Sequence, residues 1–321
     1  MSLSTDENHI IVNYHYVEDP RDDLSGVHPC TPKEFERQVK FLSENYKIVS
    51  VGEVLEATRL DVSRGAKPTV AGNPSRFCAI TFDDGLQNQF QYAAPILEKY
   101  GATATFFVIT STFSGTVPSA HKIHVVLSAA STEKLIDMFN EFLIRTYPDL
   151  EAQHFIPKDR RITMRRKYDS LLDANFKETL IVVPSEVRDA FLIEAFDKFG
   201  LDESTVNQML FMKEAEISDL ASRGFFIENH THEHGSLEQV SVEALTADLE
   251  TANSILHKLL GRRPTVISYP HGRFDERIRD VIVKAGLKYG VTIEPRSVSS
   301  KDDSFLIPRY DTNDLKKYIN Q

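Results

Sequence analysis

The sequence predicts an α/β fold, a distorted (β/α)7-type barrel with a helical insertion. Two observations carry the prediction. Short apolar runs alternate with longer segments of helical period, the pattern of a parallel sheet whose crossovers are helices. Seven runs read as strands, which suits a closed or nearly closed barrel better than the runner-up, an open doubly wound sheet. A third observation places the insertion: residues 111–212 break the rhythm, being charged, helix-leaning and without clear strands.

The elements follow in order. Ile10–Tyr14 reads as a strand, and Pro32–Tyr46 as a helix with Phe35, Val39 and Leu42 on one face. Ile48–Val51 and Phe77–Phe82 read as strands, the second almost continuously apolar, as a strand covered on both faces must be. Gln89–Tyr100 reads as a helix stopped by Gly101, and Ala102–Ile109 as a strand rich in Thr, Phe and Val. Beyond the insertion come a helix at Glu214–Arg223 and a strand at Phe225–Glu228. Leu245, Leu249, Ala252, Leu256 and Leu259 mark one long helix stripe that Gly261 ends. Thr265–Tyr269 is a strand, Phe274–Ala285 a helix stopped by Gly286, and Tyr289–Ile293 the last strand. The domain boundaries drawn are 1–110 with 213–321 for the barrel and 111–212 for the insertion.

Composition narrows the function. Among 321 residues, 41% hydrophobic and 26% charged residues describe a globular chain with an ample core. Lys and Arg number 37 against 47 Asp and Glu, and the net charge of −10 repels nucleic-acid backbones and anionic membrane surfaces unless a basic patch overrides it. No such patch is singled out, so no nucleic-acid partner is expected. Two cysteines, Cys30 and Cys78, supply neither a disulfide framework nor a four-Cys zinc site. The opening MSLSTDENH lacks the charged and apolar regions of a secretory signal, and no apolar run is long enough for a membrane span. A cytoplasmic location is the expectation. The chain has no Trp, which disfavours a long groove stacking many sugar rings and favours a short glycan or activated sugar.

Three segments place chemistry-bearing residues at the C-terminal ends of predicted strands, where α/β barrels assemble active sites. In Thr81-Phe-Asp-Asp-Gly85 two adjacent acids follow an apolar strand, and Gly85 allows a turn that brings both carboxylates to one pocket. In Asn229-His-Thr-His-Glu-His-Gly235, His230 and His234 are spaced to hold one divalent ion. A His230 and His232 pair is the rival reading, but that motif belongs on a first strand and several strands precede it here. Ser268-Tyr-Pro-His-Gly-Arg-Phe-Asp275 is a strand end turning into a helix, and alone shows only turn chemistry.

Together the segments resemble the polysaccharide deacetylases of carbohydrate esterase family 4, with the chitooligosaccharide-deacetylase homology domain. The motifs are TFDDG at 81–85, HTxxH at 230–234 and YPxG at 269–272, and the likeness covers roughly residues 9–110 and 213–310. The resemblance implies Asp83 as general base and Asp84, His230 and His234 as ligands of a divalent metal, zinc first. It implies an oxyanion donor at the His271 backbone N–H, with Tyr269 in the same substrate loop. The Tyr14-His15 pair is similar to that of poly-N-acetylglucosamine deacetylases, which would make His15 the general acid. Where the family pattern has an Arg that holds the base, this chain has Ser268, and Arg309 is the candidate substitute. The function implied is removal of N-acetyl groups from an amino sugar. A non-catalytic sugar-binding or assembly protein, and a deacylase of a non-sugar amide or O-acetyl ester, are the alternatives. The insertion is expected to roof the site or to join copies into a homo-oligomer.

Overall fold

In the computed structural model, residues 9–64 and 76–319 are described. The segment read for a leader, residues 1–8, lies outside them. The chain divides into two compact units: Met1–Asp19, Pro29–Ser114 and Gln208–Gln321 form the first, Pro20–His28 and Gly115–Asn207 the second.

The first unit is built on one curled, fully parallel sheet, a half-barrel flanked by helices. Its strands are β1 (His9–Tyr14), β2 (Lys47–Ile48), β3 (Phe77–Phe82), β4 (Thr105–Val108), β5 (Phe226–Asn229), β6 (Val266–Ser268), β7 (Tyr289–Val291) and β8 (Tyr310–Asp311). They lie in the order β7-β6-β5-β4-β3-β1-β8, with β2 also on β3. Strand periodicity divides their side chains cleanly. Ile10, Val12, Tyr14, Cys78, Ile80, Phe82 and Phe106 join one apolar cluster. Ile11, Ala79 and Phe107 join another on the opposite face. Asn13 and Thr81, paired across β1 and β3, share that second face. Both are polar residues within largely apolar strand runs, and both are buried.

Around the sheet lie α1 (Pro32–Asn45), α2 (Val51–Arg64) and α3 (Ala94–Lys99), then, after the second unit, α10 (Glu214–Ser222), α11 (Val242–Leu260), α12 (Arg279–Lys284) and α13 (Thr312–Ile319). The long stripe is α11, and it ends at Gly261 in the left-handed conformation.

Four local readings need correction. The strand expected at Ile48–Val51 stops at Ile48, and α2 begins instead. Ser50 and Glu53 form a capping box, Glu53 Oε2 accepting from the Ser50 N–H at 2.9 Å and Ser50 Oγ from the Glu53 N–H at 3.3 Å. The expected helix Gln89–Tyr100 opens with a π-helical turn at Gln89–Ala93, because Pro95 in the first turn of α3 has no N–H to continue an α ladder. Phe274–Ala285 is a short 3-10 turn at Glu276–Ile278 followed by α12. β8 and α13 carry too few apolar residues to show as runs, and β8 gains its place by pairing with β1.

The second unit is helical: α4 (Ser119–Ala129), α5 (Thr132–Thr146), α6 (Glu151–His154), α7 (Leu171–Val182), α8 (Ser185–Phe199) and most of α9 (Glu203–Leu210). Phe139, Phe142 and Phe176 surround Phe191, with ring centroids 5.1, 5.6 and 6.3 Å from it. Ser131 and Ser170 cap α5 and α7 through their side chains.

Packing around the third motif is tight enough to test. A Cβ at Gly290 would lie 1.9 Å from Tyr269 Oη, and that ring is buried with its hydroxyl fixed on the Phe305 carbonyl at 2.9 Å. Gly290→Ala is therefore expected to destabilise the first unit by about 1–3 kcal/mol, read from urea denaturation. An unchanged midpoint would show the ring free to move.

Candidate active site

The site residues lie at the C-terminal ends of β1, β3, β5 and β6, and the three motif loops share one backbone feature. Among the described residues, all four non-glycine residues with positive φ lie in them: Asp84 (78°), Thr231 (66°), His234 (56°) and His271 (60°). A side chain in the left-handed region costs free energy, so such positions persist only where surrounding structure enforces them. At the first motif, Asp84 and Gly85 (φ 71°) both adopt it. That double turn keeps Asp83 and Asp84 on the same side of the sheet's end.

Asp83 and Asp84 then meet different surroundings. Asp83 is buried, and Arg309 grips it with both terminal nitrogens, Nη1 to Oδ1 at 2.9 Å and Nη2 to Oδ2 at 2.8 Å. Asn13 Nδ2 donates to Oδ2 at 3.1 Å. Burial pushes the Asp83 carboxyl up, but the Arg309 charge and hydrogen bonds outweigh it and hold the group down at about 2. Arg309 itself is 1% exposed. Its remaining donors go to Thr292 O (2.9 Å), Asn13 Oδ1 (2.9 Å), Thr81 Oγ1 (3.2 Å) and Ser268 Oγ (2.9 Å). Arg309 is thus a buried clamp, and Ser268 is one of its acceptors.

Asp84 faces the two histidines. Its Oδ1 lies 3.2 Å from His230 Nε2 and 3.4 Å from His234 Nε2. One ligand atom from each of Asp84, His230 and His234 falls within 4.8 Å of the others, and all three residues are buried. The far side of His230 is fixed, its Nδ1 lying 2.8 Å from the Ser268 carbonyl, which leaves Nε2 facing Asp84. Burial alone would lower the His230 pKa, yet Asp84 and Asp83 raise it, so this pocket draws positive charge. Two nitrogens and one carboxylate, converging and electronegative, fit a divalent cation.

His15 sits at the rim, its side chain 42% exposed and its Nε2 3.9 Å from Asp83 Oδ2. His271 occupies the turn Pro270–Gly272, its ring centroid 4.9 Å from that of His234. Tyr269 is placed differently from a substrate contact. It is buried in an apolar cluster with Leu249, Ile267 and Ile282. Its hydroxyl bonds the Phe305 carbonyl.

Several supporting residues escape the motifs. Asn13 and Thr81 join the Arg309 network, and the signal for both was a polar residue inside an apolar strand. Gln89, at the π turn, donates to the carbonyls of Asp83 (2.6 Å) and His15 (3.0 Å), tying the two segments together. Asp248 on α11 accepts from the N–H groups of His232 and Glu233, both at 2.8 Å, and shapes the histidine loop. Thr110 Oγ1 lies 2.8 Å from His232 Nδ1, which turns that ring away from the cluster. A pocket of about 410 Å³ lies elsewhere, at the N-terminal ends of β4 to β7 beside Glu228 and Arg262, and is not part of this constellation.

Comparison with known proteins agrees with the motifs. The sequence model of the polysaccharide deacetylase family matches residues 71–137 and 162–290. YxkH of Bacillus subtilis (strain 168), provisionally named a polysaccharide deacetylase, is 21% identical over 278 residues, 86% of this chain and 63% of its own length. The poly-beta-1,6-N-acetyl-D-glucosamine N-deacetylase of Staphylococcus aureus (strain N315) is 27% identical over 116 residues, 33% of this chain and 40% of its own. The chain therefore spans less than two thirds of the length of these relatives. Among solved structures, the Streptococcus pyogenes deacetylase PplD aligns with a TM-score of 0.58 at 17% identity, covering 97% of both chains. IcaB from Ammonifex degensii aligns at 0.56 and 13%, covering 98% of both. These likenesses establish the distorted barrel fold.

The clamp makes a prediction about stability. A carboxyl with a lowered folded-state pKa stabilises above its unfolded pKa, near 4, and that share is lost as pH falls through about 2. Stability should thus fall by about 2 kcal/mol across that window, and Asp83→Asn should flatten the fall in urea titrations at stepped pH. Arg309→Met, which strands a buried carboxylate, should cost about 3–5 kcal/mol, and adding Asp83→Asn should recover much of it. A single variant as stable as the parent would mean that Asp83 reaches another counter-charge.

Proposed function

The chain belongs to the polysaccharide deacetylase family, and from that premise we propose that it is a metal-dependent hydrolase removing the N-acetyl group of an amino sugar in a short glycan or activated sugar. The observation that carries the reading is the juxtaposition of a buried Asp84, His230 and His234 cluster with an arginine-clamped Asp83 on the same turn.

Asp84, His230 and His234 would hold a divalent ion, zinc first by family resemblance. Such an ion polarises the acetamide carbonyl and acidifies a water, which suits an Asp83 that is ionised at neutral pH yet weakly basic. Asp83 takes the proton from the attacking water. Arg309 and Asn13 fix both its oxygens, so its orientation is set before substrate arrives. The backbone N–H of His271 is offered to the oxygen of the tetrahedral intermediate, in a turn whose left-handed residues fix its direction. His15, at the solvent-facing rim beside Asp83, gives a proton to the departing amine. Acetate and an amino sugar result, and one water is consumed.

Three measurements separate these roles. Elemental analysis should find about one divalent ion per chain, lost in His234→Ala and in Asp84→Asn. Asp83→Asn should keep the ion while acetate release falls on the order of a hundredfold or more. Equal metal loss in both Asp variants would overturn the division between them. His15→Phe should keep fold and metal and lose most activity, and a near-parental rate would remove His15 from the mechanism. Acetate release across N-acetylated sugar nucleotides, lipid-linked sugars and short glycans identifies the substrate. Release from O-acetyl esters alone would overturn the N-deacetylase reading.

A further inference from the structure

The loop between α6 and α7 in the helical unit carries a feature that the deacetylase chemistry does not use. Lys158 to Lys167 holds six cations and one carboxylate, in a chain whose net charge is −10. This is the basic patch that the overall acidity conceals in a reading of composition.

The loop is held from within. Asn175 on α7 is fully buried; its Nδ2 donates to the carbonyls of Pro157 (2.8 Å) and Arg160 (2.7 Å), and its Oδ1 accepts from the Ile162 N–H (3.0 Å). Arg161 spans the loop to the carbonyls of Arg166 (3.1 Å) and Asp169 (2.9 Å). Lys158 pairs with Asp137 and Glu133, and Arg166 with Glu178. Arg160, Arg165 and Lys167, like Lys158, are exposed at the surface of the loop.

Among and beside the exposed cations stand exposed apolar side chains. Met164 is 82% exposed, Ile162 43% and Tyr168 48%, and Lys167 Nζ lies 4.9 Å from the Tyr168 ring centroid. Ile156, at the loop's start, is fully buried, so the unit does not lack room for aliphatic groups. A soluble polyanion would engage the cations and leave Ile162 and Met164 in water. The boundary between lipid headgroups and acyl chains takes both kinds of side chain together. Among the described residues no helix is long and apolar enough to cross a membrane, so the contact would be peripheral.

We propose that this loop docks the protein on an anionic lipid bilayer, with Arg160, Arg165 and Lys167 on headgroup phosphates and Met164 and Ile162 inserted beneath them. The proposal is independent of the catalytic reading. The test is co-sedimentation of the full chain with vesicles of phosphatidylcholine alone and with about a third phosphatidylglycerol, at low and high salt. Binding is expected to need phosphatidylglycerol and to weaken as salt shortens the Debye length. Replacing Arg160, Arg165 and Lys167 together by Gln should lower the partition coefficient about a hundredfold, each cation contributing roughly tenfold or less at the surface. Met164→Ser with Ile162→Ser should lower it several-fold, leaving a residue of binding that high salt removes. All five sites are at least partly exposed, and an unchanged thermal melt confirms that the variants are folded. Equal binding to neutral vesicles, or parental binding by the charge variant, would overturn the proposal. So would tight binding to soluble heparin with none to vesicles, which would assign the loop to a polyanion.

Discussion

One buried cation organises the catalytic end of the sheet. Arg309 lies just before β8, yet its side chain reaches Asn13 on β1, Thr81 and Asp83 at the end of β3, Ser268 on β6 and the carbonyl after β7. A guanidinium has five donors in a rigid fork and cannot shed its charge, so it is buried only where every donor finds an acceptor. Meeting that demand fixes the strand ends relative to one another. It also settles the electrostatics, because with Asp83 neutralised by Arg309 the net negative charge left at the site belongs to Asp84, among two imidazoles. A buried ion pair of this kind is weak evidence for stability as such, since apolar replacements are often as stable. Its presence at the strand ends fits a requirement of chemistry better than one of folding.

How legible this was in the sequence differs by level. The alternation of periods was enough for the parallel sheet, because β1, β3 and β4 are largely apolar runs and α1 and α11 carry clear stripes. Elements made by context were not legible. β8 has two residues and exists through its pairing with β1, while the π turn at Gln89–Ala93 arises from where Pro95 falls. Ser50 and Glu53 spell the capping box that starts α2, but the β-branched run Ile48–Val49 just before it has strand propensity and masks the helix start.

For the site, residue types near strand ends pointed to Asp83, Asp84, His230 and His234, and these four do converge in space. Long-range partners were harder. Arg309 is 226 positions from Asp83, and no local pattern joins the two; the link is legible only through the resemblance, in the absence of an Arg at 268. Asn13 and Thr81 carried a local signal in their polarity, which alone does not say what they bind. Tyr269 shows the converse limit: it belongs to a motif loop, yet the alternation along β6 sends its ring into the core.

The backbone completes the argument. Left-handed conformations at Asp84, Thr231, His234 and His271 each cost free energy that the surrounding contacts must offset. At the first two motifs the offset is local: Thr231 Oγ1 accepts from the His234 N–H at 2.9 Å, Asn229 Oδ1 from the Thr231 N–H at 2.6 Å, and Gln89 holds the Asp83 carbonyl. The histidine loop is therefore wound tightly enough for residues four apart to present both rings to one carboxylate, which an extended strand end could not do. Strain at the turns and charge at Arg309 act on neighbouring groups. The first sets where the Asp84, His230 and His234 ligand atoms meet, and the second keeps the neighbouring Asp83 ionised and aimed beside them, so the geometry is in place before any substrate binds.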